Sequence, residues 1–344
     1  MDQLLERYSR QVFLQQIGED RQRLLMNSTV VVIGCGALGT ISSSYLVRAG
    51  IGQIRIIDRD FIEENNLQRQ LLFDENDISE NLPKAIAAQR KLQKTNSKVR
   101  VEGIVTDVNY SNIDELTKDA DIIIDGTDNF ETRFLINDYC VKSNVAWIYG
   151  ACIGSRGVMM NIIPSKTPCL RCVFETMPQI GSFPTCDTAG VIGPIAGIIA
   201  SFQVAEAIKI LTGDYASVNK NLLEIDVWET KLRQIDISEL KDISNCPTCK
   251  QHNYEFLEAE SGIMTTFLCG KNAVQVMHRN SGIIDLRQLE QRLSAIADVS
   301  CNAFMLKFRV KDHAFTVFTD GRAIITGTAD SSTAKGLYSK YLGM

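Results

Sequence analysis

The chain lacks an excess of basic residues, because 36 Lys and Arg stand against 41 Asp and Glu in 344 residues. Nucleic-acid-binding proteins usually present a basic face, so this balance disfavours that class and predicts no nucleic-acid partner. An apolar segment is also missing at the start, where residues 1–10 are polar and charged. We therefore expect a cytoplasmic protein without a secretory signal.

Long uninterrupted apolar runs are also missing from the sequence. The longest apolar stretch, residues 190–211, is interrupted by polar residues that include Gln203, Glu206 and Lys209. This pattern predicts a buried helix and no membrane span. The remaining composition, 45% hydrophobic and 22% charged, is typical of a globular protein with a sizeable core.

Cysteine is abundant, with ten residues, and in a cytoplasmic protein thiols or metal sites are more common than disulfides. Four of the cysteines form two Cys-x-x-Cys pairs, Cys169 with Cys172 and Cys246 with Cys249. Two such pairs can complete a tetrahedral Zn²⁺ site with no open position, which predicts a structural zinc. A redox dithiol is the alternative for each pair.

Three blocks are visible along the chain. Residues 1–28 form a polar arm that we expect to be helical, and residues 29–250 alternate strand-like and helix-like runs. This alternation predicts an α/β fold, a doubly wound, Rossmann-like and mainly parallel sheet. Residues 264–344 carry mostly strand-like runs with two helix-like segments, which predicts a small C-terminal α+β module.

A glycine-rich loop follows the first strand-like run. Gly34, Gly36 and Gly39 lie between that run and a helix-like stretch, and Asp58 ends the next strand-like run. Such a loop lets the backbone approach a phosphate at a helix N-terminus, and the carboxylate is placed to bind ribose hydroxyls. The spacing predicts a nucleotide site but does not distinguish ATP from NAD.

The residues that follow favour ATP. Arg69 lies among amide side chains, Lys84 begins a helix-like run, and Asp128 and Asn129 follow a strand. A triphosphate needs cations, and a carboxylate can hold the Mg²⁺ that bridges its oxygens. A dehydrogenase often uses a histidine for proton transfer, and here no histidine precedes residue 252. An NAD-dependent oxidoreductase is therefore disfavoured and remains an alternative.

At this point the sequence resembles the ThiF/MoeB branch of the ubiquitin-activating enzyme superfamily over residues 7–250. The matching motifs are RYSRQ at 7–11, GCGALG at 34–39, NLQRQ at 66–70, GTDNFETR at 126–133, CDTAG at 186–190 and the two Cys-x-x-Cys pairs. The resemblance implies an enzyme that uses ATP to adenylate the C-terminal glycine of a ubiquitin-like sulfur carrier ending in Gly-Gly. Carriers of the ThiS and MoaD types, in thiamine thiazole and molybdopterin biosynthesis, both stay open.

The resemblance also assigns roles to residues of the nucleotide site. It implies that Asp58 binds the ATP ribose, that Arg69 and Lys84 neutralise the phosphates, and that Asp128 holds Mg²⁺. Asn66 is implied to assist near the triphosphate, and Asn129 falls within the same matched motif.

Two further roles concern partners. Arg10 resembles an arginine that reaches the phosphate site of a neighbouring subunit, which implies a homodimer. Cys186 lies in a loop before the apolar helix, where a thiolate is favoured. The resemblance implies either a sulfur link to the activated carrier or a bystander thiol there, and a separate sulfur donor such as a cysteine desulfurase. A non-catalytic activating-enzyme subunit is a further alternative, which the presence of Arg10, Arg69, Lys84 and Asp128 disfavours.

Overall fold

The computed structural model divides the chain into two compact units, Met1–Glu258 and Ala259–Met344. The structure describes residues 4–176, 189–243, 245–258, 263–268, 272–278, 284–294 and 296–342. Each unit has its own sheet.

The first unit is built on an eight-stranded sheet in the order β3-β2-β1-β4-β5-β6-β7-β8. Its strands are β1 (Thr29–Ile33), β2 (Gln53–Ile57), β3 (Arg100–Ile104), β4 (Ile122–Asp125), β5 (Ala146–Ile153), β6 (Arg156–Ile162), β7 (Leu222–Asp226) and β8 (Lys231–Ile235). The first five strands of this order are parallel and the last three are antiparallel. The predicted α/β class with a mainly parallel sheet is confirmed.

Helices connect the strands of this sheet. They are α1 (Ser9–Val12), α2 (Gly18–Met26), α3 (Ala37–Ala49), α4 (Glu75–Ser79), α5 (Lys84–Thr95), α6 (Ile113–Leu116), α7 (Phe130–Ser143), α8 (Leu170–Val173), α9 (Gly193–Leu211) and α10 (Leu240–Ile243). The order reverses between β1 and β4, because β2 and β3 lie on one side of β1 and the chain then returns to the other side. In open α/β sheets, ligands bind beyond the carboxyl ends of the strands at such a reversal.

The central strands form because their sequences suit a sheet covered on both faces. β1 reads TVVVI and β4 reads IIID, and each of their aliphatic side chains is buried. Continuous β-branched runs of this kind are typical of parallel strands that have helices on both sides. The two strands place the glycine loop and Asp125 at one edge of the sheet.

Helix α9 has the length and hydropathy of a membrane-spanning segment, but it packs in the core of the first unit against α3, β5 and β6. Two of its polar side chains are buried and hydrogen-bonded. Gln203 Nε2 donates to Asp125 O at 2.8 Å, and Glu206 Oε2 accepts from Asn161 Nδ2 at 2.7 Å. Buried groups satisfied within the protein indicate a core helix, as the sequence predicted.

The N-terminal arm is anchored at the C-terminal end of α3. Asn96 Nδ2 donates to Tyr8 Oη at 2.9 Å, and a Cβ added at Gly50 would lie 2.3 Å from the Tyr8 ring. Gln11 Nε2 donates to Ala49 O at 3.1 Å. These contacts leave Arg10 exposed on the surface of α1.

The second unit is a six-stranded antiparallel sheet in the order β11-β12-β13-β14-β10-β9. Its elements are β9 (Ile263–Leu268), β10 (Ala273–His278), α11 (Leu286–Leu293), β11 (Val299–Cys301), β12 (Met305–Val310), β13 (His313–Phe318), β14 (Ala323–Thr326) and α12 (Ser331–Leu342). The two helices pack with the strands in one core, in which the Phe308 and Phe315 rings stack at 4.4 Å.

Candidate nucleotide site and cysteine cluster

The carboxyl ends of β1, β2 and β4 bring three loops to one edge of the first unit's sheet. The glycine loop follows β1, the segment 58–60 follows β2, and the segment 126–129 follows β4. Because these strands are adjacent and parallel, residues distant in sequence meet at this edge.

The three glycines of the loop differ in what they do. A Cβ at Gly34 would lie 2.5 Å from Gly126 O, and a Cβ at Gly39 would lie 1.9 Å from Gly34 O. A Cβ at Gly36, in contrast, would meet nothing closer than 3.9 Å. Gly34 and Gly39 are therefore required by packing between the loops, whereas Gly36, at the N-terminus of α3, would accept a methyl group at ordinary contact distance. Free N–H groups at a helix N-terminus favour the binding of a phosphate there.

Asp58 holds the first two loops together. Its Oδ2 accepts from Cys35 N at 2.6 Å, and its Oδ1 accepts from Asp60 N at 2.7 Å. Burial raises the pKa of Asp58, and the nearby ammonium group of Lys84 opposes this shift. Asp58 thus stands at the edge where a ribose would bind, and its contact with a ribose stays a prediction.

Lys84 is nearly buried, at 7% exposure, and its Nζ lies 3.3 Å from Asp60 Oδ2. Burial alone would lower the pKa of Lys84, but the carboxylates of Asp60, Asp58 and Asp128 outweigh it and raise the pKa. The amino group of Lys84 therefore stays positively charged at this edge of the sheet. Three carboxylates around one lysine leave an excess of negative charge that a divalent cation would offset.

Arg59 and Asp60 were not predicted from the sequence. Arg59 Nη1 lies 2.8 Å from Asp107 Oδ1, and its Nε lies 3.8 Å from Asp60 Oδ1. Burial would lower the pKa of Arg59, but Asp107 and the other nearby carboxylates raise it. The available signal was the position of both residues directly after Asp58, at the ligand edge of the sheet.

The loop after β4 is fixed by a buried ion pair that the sequence also did not reveal. Arg133 Nε lies 3.0 Å from Asp125 Oδ2, and Arg133 Nη2 donates to Thr127 O at 2.6 Å. The same loop presents Asp128 at the surface. Asn129 Oδ1 accepts from Thr132 N at 2.9 Å and so caps α7.

The two predicted residues of the NLQRQ motif have different surroundings. Asn66 is buried, and its Oδ1 accepts from Glu63 N at 3.1 Å while its Nδ2 donates to Asn65 Oδ1 at 2.6 Å. These bonds shape the turn. Arg69 is half-buried, and its Nη1 donates to Asn65 O at 2.8 Å.

Two further predicted residues lie outside this motif. Arg10 is exposed on α1, and Cys186 lies outside the described residues.

The four predicted metal ligands come together in the first unit. Cys169 Sγ lies 3.4 Å from Cys246 Sγ, Cys172 Sγ lies 3.4 Å from Cys249 Sγ, and all four sulfurs lie within 4.8 Å of one another. These separations exceed a disulfide bond of about 2.05 Å. They are close to the spacing of about 3.8 Å expected for four thiolates bound tetrahedrally to Zn²⁺. Hydrogen bonding to Cys172 and Cys246 raises the pKa of Cys169, so a cation is needed to hold the set as thiolates. The cluster fits a zinc ion.

Helix α7 supports both halves of this cysteine cluster. Asn137 Oδ1 accepts from Leu170 N at 2.8 Å, and Asn137 Nδ2 lies 3.7 Å from Cys169 Sγ. Asp138 accepts from Thr248 Oγ1 at 2.8 Å. Both side chains are fully buried. Polar neighbours of this kind fix the orientation of metal ligands.

The strand order, and the glycine loop at the carboxyl edge of the sheet, are those of an α/β protein of the doubly wound class. A model of the ThiF family matches residues 8–248, and the chain belongs to that family.

Its relatives extend this result. The chain is 42% identical over 338 residues to the sulfur carrier protein ThiS adenylyltransferase of Bacillus subtilis, covering 98% of this chain and 99% of that protein. It is 35% identical over 250 residues to a sulfur carrier protein adenylyltransferase of Thermus thermophilus, covering 71% and 90%. Among solved structures, Escherichia coli MccB with ATP is similar, with a TM-score of 0.61 and 29% identity over 71% of this chain and 74% of that one.

The contrast between the glycines gives the first prediction. Gly36→Ala adds a methyl group that meets only ordinary contacts, so we expect an unchanged melting temperature and a loss of nucleotide binding. Gly39→Ala forces its methyl group onto a backbone oxygen, so we expect a lower melting temperature. Gly336→Ala, on a helix of the second unit with open space around it, is the control and should change neither. A Gly36→Ala protein that still binds ATP normally would contradict this assignment.

The cysteine cluster gives the second prediction. Elemental analysis of the purified protein should find one zinc per chain. Cys172→Ser should lose the metal and lower the melting temperature, because metal binding contributes directly to folding free energy. Cys301→Ser, in the second unit and outside the four-cysteine cluster, should keep both. Full zinc content in the Cys172→Ser protein would show that the cluster is not the site.

Proposed function

We propose that this protein is an ATP-dependent adenylyltransferase that activates the C-terminal glycine of a ubiquitin-like sulfur carrier, of the ThiS type in the first place. One observation carries the proposal. A glycine loop and the buried cation Lys84 lie at one edge of the sheet in a chain similar over 98% of its length to a ThiS adenylyltransferase. The ATP complex of the structurally similar MccB supports ATP as the nucleotide.

The reaction is a transfer of AMP to a carboxylate. An oxygen of the carrier's terminal carboxylate attacks the α-phosphorus of ATP, the bond from that phosphorus to the bridging oxygen breaks, and pyrophosphate leaves. Lys84 and Arg69 stabilise the charge on the phosphates, and Asp58 holds the ribose. A step of this kind depends on positioning and charge stabilisation, so it needs no covalent nucleophile from the enzyme.

Mg²⁺ is the divalent cation that this site would take. Asp128 is the exposed carboxylate at the edge, and its charge also acts on Lys84 and Arg59. When bound, the ion neutralises phosphate oxygens and orients the pyrophosphate leaving group. Asn129 and Asn66 contribute by holding the two loops that border the phosphates, as their hydrogen bonds indicate.

A homodimer would bring a second copy of Arg10 to the site. The exposed surface of the helices supports a homodimer, because four large apolar side chains are solvent-accessible there. They are Phe13 directly after α1, Leu24 on α2, Tyr45 on α3 and Phe202 on α9. Exposed apolar patches are typical of interfaces, and α9 packs against both α2 and α3. Arg10, held outward by the anchored arm, would then add positive charge to its neighbour's phosphates.

Cys186 and the second unit complete the proposal. The Cys186 thiolate would attack the carbonyl carbon of the carrier's acyl-adenylate, so that a thioester bond forms and AMP leaves, and a separate donor such as a cysteine desulfurase would supply the sulfur for the carrier. Cys186→Ser should then retain adenylation and lose any covalent carrier adduct on a non-reducing gel. The C-terminal unit would act as a separate module that docks the carrier or the donor. Unchanged affinity for both the carrier and the donor after its removal would contradict that role.

Pyrophosphate exchange tests the proposed function. With Mg²⁺ and a purified ThiS-type carrier, the protein should exchange labelled pyrophosphate into ATP, and deletion of the carrier's final glycine should abolish exchange. Lys84→Met should lower the rate about 100-fold or more, since it removes a charge that stabilises the transition state. Lys220→Met, at an exposed surface position, is the matched control and should leave the rate unchanged.

The same assay distinguishes between the two carrier types and tests the alternative functions. Exchange with a MoaD-type carrier as well would indicate a shared enzyme for both pathways. No exchange with either carrier would contradict the proposal, and NADH binding in fluorescence titration would then favour the oxidoreductase alternative.

Mixing two inactive variants tests the composite site. Arg10→Ala lacks the arginine that one subunit lends, and Lys84→Met lacks a residue of the accepting site. In a mixed dimer, the subunit with intact Lys84 receives Arg10 from its neighbour, so one complete site forms. We expect activity to reappear on mixing, and sedimentation should show a dimer. No recovery despite subunit exchange would place Arg10 outside the neighbour's site.

A further inference from the structure

Gln70 lies beside Gly36 of the glycine loop, at the N-terminus of α3. Its backbone N donates to Asn66 O at 2.9 Å, so it is held in the turn that also carries Arg69. The side chain is 3% exposed. Its Nε2 is the nearest side-chain atom to the position that a Cβ on Gly36 would take, at 3.9 Å. The amide therefore borders the opening where a phosphate would approach the N-terminus of α3.

The side-chain oxygen of Gln70 accepts no hydrogen bond within the described part of the chain. A buried polar atom without a partner is destabilising, and buried polar groups in proteins are nearly always satisfied. Methionine has a similar length and would fill the same space without an unsatisfied atom. An amide at this position therefore points to a hydrogen-bond partner that a bound ligand supplies.

Several other polar side chains at this edge already have hydrogen-bond or ion-pair partners. Asp58 accepts two backbone N–H groups, Asn66 accepts one, and Asn129 caps α7. Lys84 pairs with Asp60. Among these side chains, Gln70 is the neutral amide whose hydrogen-bonding capacity is left for a bound molecule.

We propose that Gln70 is a further nucleotide-contacting residue, whose amide hydrogen-bonds the phosphate chain of bound ATP beside Gly36. The Nε2–H group donates to a non-bridging phosphate oxygen, and Oε1 accepts from a water or hydroxyl group of the bound nucleotide. The two ends of the amide exchange by a half-turn, so either can face the opening. The contact orients the phosphate without adding charge, whereas Lys84 and Arg69 supply the charge. This inference rests on the proposed use of ATP.

Binding of a non-hydrolysable ATP analogue with Mg²⁺, measured by calorimetry without any carrier, tests the contact. Gln70→Met should raise the dissociation constant about 10-fold, as expected for the loss of a hydrogen bond to a charged group. The melting temperature of the ligand-free variant should stay equal or rise, because the unsatisfied oxygen is gone. Gln288→Met, at an exposed position of the second unit, is the control and should change neither quantity.

Gln70→Glu provides a second variant of the same shape. Its carboxylate would repel the phosphates, so the dissociation constant should rise by more than it does in the methionine variant. Gln70→Met and Gln70→Glu proteins that bind the analogue as the wild type does would overturn the inference and leave Gln70 as a packing residue. A wild-type protein that does not bind the analogue would instead overturn the proposed use of ATP itself.

Discussion

The buried ion pair of Asp125 and Arg133 is the interaction on which the edge of the first unit's sheet with the glycine loop depends. Asp125 ends the central strand β4 and is fully buried, and besides the Arg133 guanidinium it accepts the Thr127 N–H and Oγ1–H groups, at 2.8 and 2.7 Å. Arg133 in turn donates to Thr127 O and Gly150 O. Removing one partner of such a pair leaves an uncompensated buried charge and typically costs about 3–5 kcal/mol. The pair therefore fixes the loop that carries Asp128 and joins it to β5.

Helix α7 extends this constraint to the cysteine cluster. Arg133 lies in its first turn, and Asn137 and Asp138 lie one turn further on, where they hold the two Cys-x-x-Cys segments. A rise of about 1.5 Å per residue places these groups within about 8 Å along the helix axis. A zinc ion that ties both segments to α7 would thus also stabilise the position of the loop after β4. The cysteine cluster and the loop after β4 share one rigid element, α7.

The sequence predicted what depends on local pattern. The strand-like runs at β1, β2 and β4, the glycine loop and the apolar helix α9 follow from periodicity, glycine spacing and apolar composition, and the structure has each of them. The helix-like run that begins at Lys84 is α5, and Pro83 before it has an extended ψ of 143°. The paired Cys-x-x-Cys motifs likewise predicted a cluster that the structure brings together.

The sequence did not predict what depends on contacts across loops. Gln70 lies beside Gly36 because the adjacent parallel strands β1 and β2 end at the same edge of the sheet. Asp60 meets Lys84, and Asp125 meets Arg133, where the chain folds back between a strand and the helix that follows it. The sequence also did not show which motif side chains are already hydrogen-bonded within the protein. Asn66 and Asn129 belong to motifs that match the family, yet their side-chain oxygens accept hydrogen bonds from backbone N–H groups. Only the structure shows these bonds.

The most direct test of the account is the intact mass of a ThiS-type carrier after incubation with this protein, ATP and Mg²⁺ under conditions that trap an acyl-adenylate. The account predicts a carrier heavier by one adenylyl group, with pyrophosphate released in equal amount, and no such species when the terminal glycine is deleted or Lys84 is replaced. A carrier of unchanged mass in the presence of bound ATP would contradict adenylation as the reaction of this protein.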